Sequence, residues 1–135
     1  MDDYPDAAER HLDDAELLFA QVPQRLANAS HLFGMVAECS LKTIARAISP
    51  SVSFSGSSGR MPALFTELTT VASPVGSNPD LVKKISAIQP FFAQWKVAQR
   101  YANQTAFSTQ AVTSQQAGAK QAILLMRNFL QGGVI

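Results

Sequence analysis

The sequence has a single cysteine, Cys39, and only two histidines, His11 and His31. One thiol excludes an intramolecular disulfide framework and a cysteine-based zinc site. No His-x3-His or Glu-x-x-His spacing occurs, so no metal site is expected, and no motif points to a cofactor. Charged residues make up 16% of the chain, with 11 basic and 10 acidic side chains and a net charge of +1. So balanced a charge supplies no whole-protein field for nucleic acid or an anionic membrane, and such a ligand needs a local cluster. No apolar run approaches the ~20 residues of a membrane span. The acidic start, MDDYPDAAERHLDDAE, has no basic segment followed by an apolar one, which argues against a signal peptide, and the expected location is the cytoplasm. Alternating β-branched runs are missing too, which removes the signal for strands.

What is present reads as helix. The 135 residues suit one domain spanning 1–135, and 47% hydrophobic content can build a core without staples. The shortage of charge suggests apolar surface hidden against a second subunit, hence a homodimer. The longest candidate helix is Arg25–Ile48. Leu26, Ala29, Phe33, Ala37, Leu41, Ile44 and Ile48 fall on one apolar arc, and Asn28, His31, Met35, Glu38, Lys42 and Arg46 line the other side. Such a helix belongs at the centre of a bundle.

Around it the pattern predicts a first helix from Pro5 to Gln21, its stripe being Ala8, Leu12, Ala15, Phe19 and Val22. Ser/Gly-rich residues at about 49–61 read as a mobile loop. A third helix opens at Pro62, with Leu64, Phe65, Leu68, Val71 and Ala72 inward, and 73–77 reads as a turn. Asn78-Pro79-Asp80 opens a fourth, striped by Leu81, Ile85 and Ile88 and continued by Phe91, Phe92 and Trp95, with a kink or restart at Pro90. Residues 96–109 form a polar connection. The last helix begins between Ser108 and Ser114, with Thr113 and Gln116 as one candidate capping box, and ends at Gln131 before Gly132-Gly133. Its stripe is Ala119, Ile123, Met126 and Leu130, widened by Ala122 and Phe129. The expected architecture is an all-α, four- to five-helix, mostly up-and-down bundle.

Three stretches also carry a resemblance. NASHLFGMVAECSLKTI at 28–44, with its Ala-Glu-x-x-Leu-Lys core, resembles the second helix of HEPN domains (higher eukaryotes and prokaryotes nucleotide-binding). Gly59-Arg60-Met61-Pro62-Ala63-Leu64-Phe65 is similar to the segment opening that family's third helix. Trp95-Lys96-Val97-Ala98-Gln99-Arg100-Tyr101-Ala102 is similar to the stretch before its last helix. The resemblance implies a dimerising helical bundle. Some members are toxin ribonucleases with an Arg-x4–6-His motif, and others are non-nuclease partners of nucleotidyltransferases or nucleotide binders. Here Arg100 stands in the motif's Arg position, but residues 101–107 contain no histidine. Metal-free RNA cleavage needs a group titrating near neutrality beside a phosphate clamp. Asn103, Gln104 and Thr105 do not titrate.

The expected function is therefore a non-catalytic HEPN-like module binding a nucleotide, RNA or protein partner, with a toxin–antitoxin or nucleotidyltransferase-associated system as one setting for it. The alternatives are an atypical ribonuclease pairing Arg100 with a displaced histidine, or a purely structural partner subunit. The binding candidates are Arg100, Tyr101, Asn103 and Trp95 at the bend and His31, Glu38, Lys42 and Arg46 on the polar edge. For each a plainer reading exists. Glu38 and Lys42 could be a solvated i, i+4 pair, Trp95 and Tyr101 could finish the core, and Arg100 could tie a loop to a carboxylate. Cys39 reads as a buried filler and His11 as a partly buried side chain.

Overall fold

The computed structural model describes residues 2–54, 59–72 and 79–132. It is all-α, with five helices: α1 Tyr4–Phe19, α2 Leu26–Ile48, α3 Ala63–Ala72, α4 Pro79–Ile88 and α5 Thr109–Gly132. Three short 3-10 turns, Gln89–Phe92, Val97–Tyr101 and Gln104–Ala106, link α4 to α5. Among the described residues there is no strand and no helix long and apolar enough to cross a membrane.

Asp3 caps α1 by accepting the Asp6 amide at 3.1 Å, and Arg10 pairs with Asp6 one turn on at 2.8 Å. The helix ends at Phe19, two residues before the expected stop. Val22 therefore leaves the buried stripe and is 97% exposed in the turn. The turn folds α1 back on α2, so that Phe19 meets Phe33 edge-on at 5.9 Å and Tyr4 meets Arg46 near the far end. This pairing is antiparallel. α5 also runs antiparallel to α1, held by Arg127 to Glu9 at 2.8 Å, Gln116 to Glu16 at 2.7 Å and Lys120 to Glu16 at 3.4 Å.

α2 is buried nearly all round. Its arc residues Ala29, Phe33, Ala37, Leu41 and Ile44 are in the core, but so are Ser30, Glu38, Ser40 and Thr43. Its N-terminus has no cap of its own. Instead Gln104, 77 residues away, accepts the Ala27 amide at 2.9 Å and donates to the Gln24 carbonyl at 3.0 Å. The expected third and fourth stripes bury Leu64, Phe65, Leu68, Ala72, Leu81, Ile85 and Ile88. The Val71 side chain, the 73–77 turn, Asn78 and Gly133 lie outside what is described. At Pro90 the α-helix gives way to a 3-10 turn, as a residue without an amide donor requires.

The start of α5 differs from the expected capping box. Ser108 accepts the Ala111 amide at 3.1 Å and is the cap. Thr113 donates instead to the Thr109 carbonyl at 2.7 Å, and Gln116 is drawn off to Glu16. Leu130 also leaves the stripe, being 53% exposed where α5 runs beyond the core.

Candidate functional site

The site begins with a glycine. A Cβ on Gly34 would sit 1.9 Å from Cε2 of Trp95, so only glycine lets the indole lie against α2. Trp95 is buried, and its Nε1 donates to the Ser30 carbonyl at 2.9 Å. On the outer side His31 stacks on the indole, with ring centroids 6.2 Å apart and planes 14° from parallel.

A polar network under Trp95 anchors the next turn of the chain. Ser30 Oγ donates to Gln115 Oε1 on α5, and Gln99 Nε2 donates to Ser30 Oγ at 2.6 Å. Gln99 Oε1 in turn accepts the Lys96 amide at 3.1 Å. The Val97–Tyr101 turn is thereby bolted to α2, and Arg100, next to Gln99, is carried into the field of His31. Arg100 has no carboxylate within ion-pairing distance among the described residues. Its guanidinium lies 4.9 Å from the ring centre of Tyr101, which is 79% exposed. Tyr101 thus does not finish the core, whereas Trp95 does, and Arg100 ties no loop to a helix carboxylate.

Two turns along α2 from His31, Glu38 is wholly buried and spends both oxygens on the segment before α3. Oε1 accepts from Arg60 Nη1 at 3.0 Å and Oε2 from the Met61 amide at 3.1 Å. Arg60 Nη1 also lies 3.7 Å from Met35 Sδ. The expected Glu38–Lys42 surface pair is absent; Glu38 faces inward to Arg60. Burial pushes the Glu38 carboxyl up, while the Met61 amide, Arg60 and Lys42 pull it back. Burial holds His31 below the ordinary histidine value, reinforced by Arg100, His11 and Arg60. Nδ1 of His31 is buried without a partner, leaving Nε2 as the nitrogen toward solvent. A neutral tautomer with its proton on Nε2 avoids an orphaned buried donor and points an N–H outward.

The other half of the polar edge is elsewhere. Lys42 lies 5.5 Å from the Tyr4 ring and 5.6 Å from the Phe54 ring, and Arg46 lies 4.6 Å from Tyr4. Arg46 borders an open cleft of about 430 Å3 that includes Asp2, Asp3, Tyr4 and Thr43. The structure therefore brings His31, Trp95, Arg100 and Tyr101 together, sets Glu38 beneath them through Arg60, and places Lys42 and Arg46 apart. Asn103 accepts from the Thr105 amide and hydroxyl, both at 2.9 Å, and shapes the Gln104–Ala106 turn. Cys39 is buried, and burial pushes its thiol up to about 11, so it is not a thiolate near neutrality.

Sequence reasoning missed Arg60 as a site residue, along with Ser30, Gln99 and Gln115. The available signal for Arg60 was a lone cation in an otherwise uncharged Ser/Gly-rich stretch, opposite a carboxylate in the middle of a buried helix. Among the described residues no three His, Cys, Asp or Glu side chains gather as a metal would require. No family model matches the chain, and neither the curated proteins nor the solved structures yield a match.

Proposed function

We propose that this chain is a non-catalytic, HEPN-like helical module of the cytoplasm that binds the phosphate of a nucleotide or RNA strand where α2 meets the 95–101 bend. The observation that carries the reading is Arg100. Its turn is anchored to α2 by the Gln99–Ser30–Gln115 network, its charge acts on His31, it has no carboxylate partner among the described residues, and it stands next to an exposed aromatic ring. A guanidinium fork with a neighbouring stacking surface suits a phosphate and its base. Fluorescence anisotropy with a short labelled RNA tests this. Losing a charge-assisted contact should weaken binding about 10-fold or more in Arg100→Ala, while Lys42→Met should bind as the wild type does. Wild-type protein that ignores the RNA, or Arg100→Ala that binds equally well, ends the reading.

A second reading is a metal-independent ribonuclease. It is favoured by one fact: His31, far upstream in the chain, feels the charge of Arg100. A neutral imidazole beside a guanidinium has the parts of a proton acceptor and a phosphate clamp. RNA cleavage lost in both His31→Ala and Arg100→Ala would support it, and inert wild type would dismiss it. In either case we take the working form to be a homodimer, or a complex with a partner such as a nucleotidyltransferase. Exposed Leu17, Leu124 and Leu130 support this. Sedimentation velocity at micromolar concentration reads it directly, a single monomer boundary counting against the homodimer.

A further inference from the structure

Arg60 adds something that phosphate binding at Arg100 alone does not require. Only its Nη1 is engaged, by Glu38 and the sulfur of Met35. Its side chain is 40% exposed, and its other guanidinium nitrogens have no hydrogen-bond partner among the described residues. Its Nη1 touches Met35, one helical turn from His31, while Arg100 follows Gln99, which is bonded to Ser30 next to His31. The two guanidinium groups are thus carried to neighbouring positions on α2, and both charges act on the His31 imidazole. Glu38 does not cancel the pair, because its single carboxylate engages one nitrogen of Arg60 and none of Arg100. Two guanidinium groups, Arg60 and Arg100, stand against one acid, so this end of the edge is left net positive.

The hydrogen-bonding capacity is also large. An internal phosphodiester carries one charge and two free oxygens, which a single fork satisfies. A terminal phosphate has three free oxygens and a charge of about −1.5 to −2 near neutrality. Two forks, one set against Met35 and one on the turn tied to Ser30, with the imidazole N–H of His31 on the same helix, suit three oxygens. We infer that the site selects a terminal phosphate monoester, the 5′-phosphate of a mononucleotide or of an RNA end, and that Glu38 is the positioning residue that sets Arg60 as its second clamp. This rests on the phosphate-binding reading above. Its own content is the discrimination between a phosphate end and a phosphate link.

The test is an anisotropy titration of the full chain with one short RNA bearing either a 5′-phosphate or a 5′-hydroxyl, with 5′-AMP as a competitor. The 5′-phosphate should bind about 10-fold tighter or more, as expected for an added charge-assisted contact. Arg60→Gln should abolish that preference while leaving the weaker binding of the 5′-hydroxyl RNA in place, and Arg60→Lys should restore part of it. Arg100→Gln should weaken both RNAs. Should 5′-AMP displace the phosphorylated RNA at its own concentration scale, the source is a free nucleotide, and if it does not, an RNA end. Equal affinity for both RNAs, or a preference untouched in Arg60→Gln, overturns the inference while phosphate binding stands. If neither RNA nor 5′-AMP binds, both fall. Glu38→Gln, scored by circular dichroism for folding, should reduce the preference less than Arg60→Gln does. Full retention in a folded Glu38→Gln protein would remove the positioning role.

Discussion

The two halves of the polar edge of α2 are built from the same kinds of residue and end differently. Around His31 the cover is a buried indole, a 3-10 turn and the segment at Arg60. The cations there keep unused donors and the imidazole faces outward. Around Lys42 and Arg46 the cover is Tyr4 and Phe54, rings that meet edge-on at 6.2 Å and present their faces to the cations. Charge on a helix face is thus not enough to make a site. What packs over it decides whether the charge is satisfied locally, as a cation on an aromatic face is, or remains available to a ligand.

The sharpest way to break the contrast is Gly34→Ala. The added methyl collides with the Trp95 ring, and displacing the indole should cost about 3–5 kcal/mol, as emptying a buried aromatic site does. Chemical denaturation reads the loss. The first half should come apart, with the His31–Trp95 stack lost, while the Tyr4–Phe54–Lys42 cluster persists in whatever remains folded. Next in size is Glu38→Ala, which strands the buried Met61 amide and frees Arg60. Because Arg60 is partly exposed, the expected cost is about 1–3 kcal/mol rather than that of a fully buried pair. Smaller again is Tyr4→Ala in the second half. Removing the ring from two cations should cost roughly 0.5–2 kcal/mol and leave RNA binding unchanged. An effect on binding would merge the two halves into one site.

The smallest effect is on pH. His31 has a folded value below the ordinary 6.5, so the folded state holds it neutral while the unfolded chain still takes a proton. Its contribution to stability is therefore present above 6.5 and is lost as the pH falls from there through the folded value; His11, also lowered, acts with it. Glu38 works the other way, since its folded value is raised. Its contribution is present below the ordinary carboxyl range and fades as the pH rises through the raised value. NMR titration of the His31 ring checks the first of these. Its midpoint should lie below 6.5 and move up in Arg100→Gln, and a midpoint that ignores Arg100 would separate the two residues.

Much of the scaffold was legible because helices announce themselves through spacing. The arc from Ala29 to Ile44, the stripes Leu81–Ile85–Ile88 and Ala119–Ile123–Met126, and the break at Pro90 all follow from a 3.6-residue period and one missing donor. Ends were less legible. Val22 and Leu130 fit their stripes by period yet lie where the helix has stopped or overrun the core. At the site, the polar edge and Arg100 could be named in advance. The partners could not. Gln99 to Ser30 and Arg60 to Glu38 are contacts across 69 and 22 residues, and no local period encodes them.

The order of residues by itself determined that this chain is helical, which faces turn inward, and that its polar chemistry runs along one edge of the longest helix. Only the tertiary structure decided which part of that edge is sealed by aromatic rings and which is left with free donors. The physical reason is range: helix periodicity is set by neighbours three and four residues away, while the satisfaction of a buried or charged group depends on whichever distant segment comes to lie over it.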